Sequence, residues 1–149
     1  MTEIIKVLRG RRIRGYPAGV EDVRGEPGLS DLDRGEDWID SGPNAIALDT
    51  GGCDHVLIAY ELWDGEPTTP DWDESRSGSV RLTSGKTCAI SGSSGELDHH
   101  EEFDLGRREH EWRFKAHRRL LRHDGFTADA IGFALFKLQF WSPVKEAAS

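Results

Sequence analysis

The residues of this chain best suited to chemistry are histidines and carboxylates set close together. Asp98-His99-His100-Glu101-Glu102, with His110 and His117 downstream, offers the imidazole and carboxylate ligands that zinc or a similar ion takes. His99, His100, Glu101 and His110 are therefore the candidates for a metal-dependent enzyme or a metal-binding protein. The spacing argues against them, because adjacent histidines on a strand point to opposite faces. The run also lacks the i, i+4 pair of a helical HExxH site, and a solvated loop is the competing reading. Asp71, Asp73 and Glu74 around Trp72 could hold calcium, but the DxDxDG frame is missing. Gly51-Gly52 and residues 91–95 read as turns, with no strand-to-helix junction to cradle a phosphate. Nothing in the sequence pairs a serine, threonine or cysteine with a base. The expectation is a non-enzymatic protein with no cofactor.

Charge is the stronger signal. Residues 1–20 balance to +4, residues 21–104 to −16 and residues 105–149 to +4, for a net charge of −8. Such segregation acts on association and solubility rather than on fold. An acidic middle attracts a basic partner and makes nucleic acid an unfavourable one. Lysine is scarce beside arginine and asparagine occurs once, so genomic bias accounts for part of the acidity. The acidic stretches 21–40 and 64–74 each carry a tryptophan among carboxylates. An aromatic anchor within a charged rim is the composition of a binding hot spot. Asp37, Trp38, Asp40, Asp71, Trp72, Asp73 and Glu74 are accordingly the contact candidates. The competing reading has each tryptophan capping its own core while the acids face water. The basic stripe Arg113, Lys115 and Arg119 is expected to neutralise nearby acids within the chain. A third reading makes Trp63 and Trp72 a sugar-stacking platform in a ligand-binding module.

These residues must be positioned by a domain that 149 residues can supply as one unit, with a core that needs neither metal nor disulfide. Five Trp and six Phe within a 36% hydrophobic composition favour a folded chain over a disordered one. There is no apolar run of about 18 residues and no apolar leader with a cleavage site, so a cytoplasmic protein away from membranes is expected. Cys53 and Cys88 stand outside any CxxC or CxxH pattern. Two buried thiols are expected, with a cross-strand pair as the alternative.

Residues 2–13 read as a strand. Residues 15–43, rich in Gly, Pro and Asp, read as a long irregular connection. Short strands follow at 45–48 and 54–63, the latter with Val56, Ile58, Tyr60 and Leu62 on one face. After a loop at 64–78, residues 79–82 and 86–90 read as a hairpin turning at Ser84-Gly85, with Cys88 and Ile90 facing inward. A strand begins or ends at 103–105. The clearest strand spans 109–120: His110, Trp112, Phe114 and Ala116 share one face, and Glu111, Arg113, Lys115, His117 and Arg119 the other. Residues 131–141, apolar apart from Lys137 and Gln139, read as a strand buried on both sides, with a short helix as the rival. Residues 1–143 thus form one all-β domain, an antiparallel β-sandwich of about eight strands, a jelly roll being one arrangement of it. Residues 144–149 form a frayed tail.

Several of these segments together resemble a known family. They are Glu36-Asp37-Trp38-Ile39-Asp40, the strands at 45–48 and 55–63, Ser79-Val80-Arg81-Leu82-Thr83-Ser84-Gly85, and Phe136-Lys137-Leu138-Gln139-Phe140-Trp141. Over about residues 36–141 they are similar, in strand order and aromatic positions, to the competence protein J family, whose Bacillus member inhibits a DNA-uptake nuclease. The first strand and the connection up to Gly35 have no counterpart in the resemblance. It implies a small cytoplasmic β-sandwich that binds and silences another protein, such as a nuclease or toxin, and it brings no catalytic residues. An acidic surface suits that role, because nuclease active sites attract phosphate.

Overall fold

In the computed structural model, residues 2–10, 13–14, 16–25, 32, 35–51, 53, 55–68, 72–93, 96–123 and 131–143 are described, and they form strands and no helix. In chain order the strands are β1 Ile4–Arg9, β2 Ile13–Arg14, β3 Tyr16–Asp22, β4 Ile39–Gly42, β5 Ala45–Leu48 and β6 His55–Trp63. Then come β7 Glu74–Leu82, β8 Lys86–Ser93, β9 Glu96–Asp104, β10 His110–His123 and β11 Ile131–Trp141. One sheet runs β1-β6-β11-β10-β7, with β2 also pairing β6, and the second runs β4-β5-β3-β8-β9. Every pairing is antiparallel except β11 with β6, which are parallel.

Alternation along the strands builds the core. Val56, Ile58, Tyr60 and Leu62 of β6, Trp112, Phe114 and Ala116 of β10, and Ala134, Phe136, Leu138 and Phe140 of β11 are buried in one cluster with Val20, Ile46, Leu48, Ala89 and Phe103 of the second sheet. This is the two-sheet packing that period-two patterning predicts. The strand expected at 131–141 is a strand, and Gln139 and Trp141 on its outer side are buried as well.

Four expectations need correction. The structure has eleven strands among the described residues rather than about eight. The stretch 15–43 is not wholly irregular: it contains β4, and β3, which lies between β5 and β8. Pro17 and Gly19 conceal β3 because both usually break strands. Here they sit at a register shift against β8, where a bulge tolerates both. Gly19 has φ 142°, and a Cβ there would overlap the Ile46 carbonyl oxygen. The third correction concerns the loop 64–78, which ends early because β7 begins at Glu74.

The fourth is the hairpin. β7 pairs with β10 and β8 with β3 and β9, so Ser84-Gly85 carries the chain from one sheet to the other. Asp22, 3% exposed, holds this corner. Its carboxylate accepts from Ser84 N, Ser84 Oγ and Gly85 N at 2.8–2.9 Å and from Arg24 N at 2.9 Å. Asn44 Oδ1 accepts from Thr83 N at 2.8 Å. Gly85 is at φ 78°, where a side chain is strained. Cys88 and Ile90 consequently face away from the main core. They pack with Ala45 and Ala47 under Val23 and Leu32, so the β3–β4 connection covers part of the second sheet.

Candidate functional site

Three polar assemblies surround this core. The first closes one end of the sandwich around Trp38. Its ring, 5% exposed, sits 6.1 Å from Phe136, with the guanidinium of Arg118 5.0 Å and that of Arg76 5.9 Å over it. Arg118 forks onto Glu74 through Nε at 2.6 Å and Nη2 at 3.0 Å, and donates to the Asp49 carbonyl at 2.9 Å. The pair is in register across β10 and β7, which makes a bidentate geometry natural. Arg76 Nε reaches Asp37 Oδ2 at 2.9 Å. Hydrogen bonds from Arg76 and from the Trp38 N–H hold the Asp37 carboxyl below its ordinary range. The Arg118 hydrogen bonds do the same for Glu74.

The second assembly lies on the outer face of the first sheet. Trp63 Nε1 and Gln139 Nε2 both donate to Glu61 Oε1 at 3.0 Å, and Lys137 Nζ is 3.6 Å from Glu61 Oε2. The carboxylate is acceptor-only, so Gln139 turns its NH2 toward Glu61 and its oxygen toward His117. His117 Nε2 must then donate to Gln139 Oε1 at 2.7 Å, leaving Nδ1 to accept from Ser75 Oγ at 2.7 Å. The tautomer is fixed by its neighbours. Trp72 roofs this row, its ring 6.2 Å from His117, 5.3 Å from the Arg119 guanidinium and 5.7 Å from Lys137 Nζ. Asp73 Oδ2 is 3.5 Å from Arg119 Nε.

Burial, helped by Lys137 and Lys115, lowers the His117 pKa. A histidine whose folded pKa lies below the unfolded value stabilises fully above about pH 6.5 and loses that contribution as pH falls through its folded value. The melting temperature is therefore expected to drop as pH falls below about 6.5, ahead of the loss from Asp37 and Glu74 in the carboxylate range. Nitrogen-detected NMR of the imidazole is expected to show neutral, Nε2-protonated His117 at about pH 6.5. An imidazolium or an Nδ1–H tautomer there would overturn the assigned network.

The third assembly is the side of the sandwich where β1 and β9 are edge strands. Lys6 Nζ lies 5.3 Å over the Phe103 ring and donates to the Asp104 carbonyl at 3.0 Å. Phe103 stacks on Tyr60 at 5.3 Å. Beside them a cavity of about 200 Å³ is lined by Gly10, Ile13, Ile58, Tyr60, Ala89, His100 and Glu101. Ile4, Ile5 and Val7 are exposed along β1.

The sequence-derived candidates fall into different places. Asp37, Trp38 and Glu74 come together at the closed end, while Trp72 and Asp73 lie on the outer face of the first sheet. Asp40 accepts from the Gly35 N–H at 2.9 Å, and Asp71 lies outside the described residues. The basic stripe meets acids inside the chain, as Arg119 does with Asp73 and Lys115 Nζ with Glu66 at 3.9 Å. Arg119 and Lys137 lie over the Trp72 ring, and Trp63 donates its indole N–H to Glu61. His100 and Glu101 are on β9 and His110 on β10, in different sheets. His110 contacts Ser142 at 2.8 Å and the edge of Trp112 at 4.8 Å, and burial, then Arg107 and Arg81, lower its pKa. The side chain of His99 is outside the described residues, and among those described no three potential ligands converge on a metal. Cys53 and Cys88 are free and buried, and burial pushes the Cys88 thiol up to about 11, away from thiolate chemistry.

Sequence reasoning missed Asp22, Glu61 and the cavity. A polar residue at an otherwise apolar strand position, Gln139 above all, was the available sign of the Glu61–His117 row.

The architecture defines a β-sandwich that is helix-free among its described residues. No protein-family profile matches the sequence, and no curated protein matches it. Among solved structures the fold is similar to ComJ of Bacillus subtilis, an inhibitor of the DNA-degrading activity of NucA. The TM-score is 0.54 at 10% identity, over 93% of this chain and 98% of that one. At this identity the likeness is one of fold, and it agrees with the resemblance to the competence protein J family.

Proposed function

We propose that this protein is a non-enzymatic inhibitor that binds a basic nuclease or toxin and silences it in the cytoplasm. The observation that carries the reading is the fold shared with ComJ along nearly the whole of both chains. The −16 balance of residues 21–104 supports a basic partner, since complementary charge raises the rate of encounter. Asp37, Trp38, Asp40, Asp71, Trp72, Asp73 and Glu74 remain the proposed contacts. Of these Asp73 is the cleanest to alter, being exposed and only loosely paired with Arg119.

The test is a pull-down from lysate of the source organism with the protein as bait, eluted along a salt gradient and identified by mass spectrometry. A basic nuclease is expected, released at intermediate salt, with DNA degradation lost at equimolar bait. An eluate without any protein that equimolar bait inactivates would sink the reading. With the partner in hand, Asp73→Lys is expected to slow association several-fold and to flatten its salt dependence without lowering stability. Unchanged kinetics would remove the Trp72 loop from the contact surface.

A further inference from the structure

His117 is the group whose charge this fold can least absorb. It is 0% exposed, and groups from every neighbouring strand enclose its ring. From β11 come Gln139, which accepts from Nε2, and Lys137. From β6 comes Glu61, reached through Gln139, and from β7 comes Ser75, which donates to Nδ1. Lys115 and Arg119 flank it along β10, where they hold the exposed carboxylates of Glu66 and Asp73. Arg118 and Glu74, beside His117 and Ser75 in the ladder, pair with each other at the closed end. Burial is the largest influence on the imidazole and disfavours its charged form. Lys137 and Lys115 act in the same direction, against Gln139 and Glu61.

A proton on Nδ1 makes both ring nitrogens donors. Ser75 must then turn its own hydrogen away, and a further positive charge stands among lysines and an arginine in a site that excludes water. Water relieves that charge most cheaply where the wall is weakest. Gln139 and Ser75 belong to strands laddered to β10 on its two sides, so neither can withdraw without breaking the sheet. Trp72 precedes β7 and lies in no strand. Its half-buried ring is held by the cations of Arg119 and Lys137, with the exposed Asp73–Arg119 pair at 3.5 Å beside it. Contacts of these kinds are individually weak at a solvated surface. We propose that His117 and Trp72 form a proton-gated cover: protonation of the imidazole lifts the indole off the outer face of the first sheet, and deprotonation restores it. The gate is independent of the inhibitor reading. Where that reading holds, Trp72 is also a proposed contact, and affinity for the partner falls in acid.

The experiment follows the Trp72 indole N–H and the His117 imidazole of the whole protein by NMR, from about pH 7.5 to about pH 5. The spectrum of Trp72→Phe assigns the indole. Both signals are expected to change with one midpoint, and the Trp72 N–H to exchange with water at least about tenfold faster in acid. The N–H of Trp112, 2% exposed in the core, is expected to stay as it was. Linkage requires the reverse effect as well, since loss of the indole must favour the proton that expels it. Trp72→Ala is therefore expected to raise the His117 midpoint by about 0.5 or more, toward the ordinary value of about 6.5. His117→Gln is expected to make Trp72 indifferent to pH. Should that buried substitution unfold the protein, Lys137→Met tests the same point, because removing a facing cation is expected to move both midpoints up together. A Trp72 signal that ignores the titration of His117, or a response that survives in His117→Gln, would overturn the proposal. So would a His117 midpoint unmoved in Trp72→Ala, or a Trp112 signal lost along with that of Trp72. A working gate, with a captured nuclease bound equally well at both ends of the range, would leave the proposal standing and remove Trp72 from the contact surface.

Discussion

Asp22→Ala is expected to cost about 3–5 kcal/mol of folding stability, because it leaves several neutral donors without their charged acceptor, at about 1–3 kcal/mol each. Four donors converge on this one carboxylate, two of them backbone N–H groups at the corner between the sheets. Without it, Ser84 N and Gly85 N lose their acceptor in a region where water has little access. The corner is also conformationally committed, because Gly85 sits at positive φ and a Cβ there would overlap the Arg107 carbonyl oxygen. Urea denaturation read with unchanged m-value gives the cost directly. A loss below about 1 kcal/mol would mean that solvent replaces the carboxylate and that the corner is held by its backbone alone.

Trp38→Ala is expected to cost a similar about 3–5 kcal/mol, for a different reason. The ring fills space against Phe136 and supplies the face over which Arg118 lies, so its removal leaves both a cavity and a part-buried guanidinium without its aromatic neighbour. Trp38→Phe is expected to cost much less. It keeps an aromatic face and deletes an indole N–H that has no partner among the described residues. The pair of variants also separates two roles for this residue. If Trp38 touches the partner, Trp38→Phe weakens binding in a protein that remains stable; if it serves only the fold, binding survives in Trp38→Phe and declines in Trp38→Ala only as far as that protein unfolds. A stable Trp38→Ala protein would overturn the placement of the ring in the core.

What was legible in the sequence was whatever depends on local alternation. Trp112, Phe114 and Ala116, and Val56, Ile58, Tyr60 and Leu62, announce their faces without help from the rest of the chain, and all are buried as the pattern requires. The fold class followed from these. What was not legible depends on partners distant in sequence. β3 was hidden because Pro17 and Gly19 break strands in most settings and are tolerated here only by the bulge against β8. The Ser84-Gly85 corner has the composition of a hairpin turn, and only the reach of Asp22, 62 residues away along the chain, makes it a crossing between sheets. His117 alternates as an outward-facing residue and is nonetheless 0% exposed, because Trp72, Gln139 and Ser75 close over it. The acidic loops looked free for a partner because the arginines they meet lie on β7 and β10.

The parallel pairing of β6 with β11 carries a consequence for biosynthesis. β6 occupies residues 55–63 and takes as its neighbour the last of the described strands, in register from His55 beside Phe133 to Trp63 beside Trp141. Contacts this distant in sequence slow folding, since the long intervening segment must be closed before they form. The nascent chain cannot complete the middle of its first sheet until residue 141 has left the ribosome. Until then β6 offers an apolar, hydrogen-bond-hungry edge to any other strand nearby. Its earliest available neighbour is β1, the first strand made, which shields the opposite edge and leaves the β11 side as the period of greatest risk for misassembly.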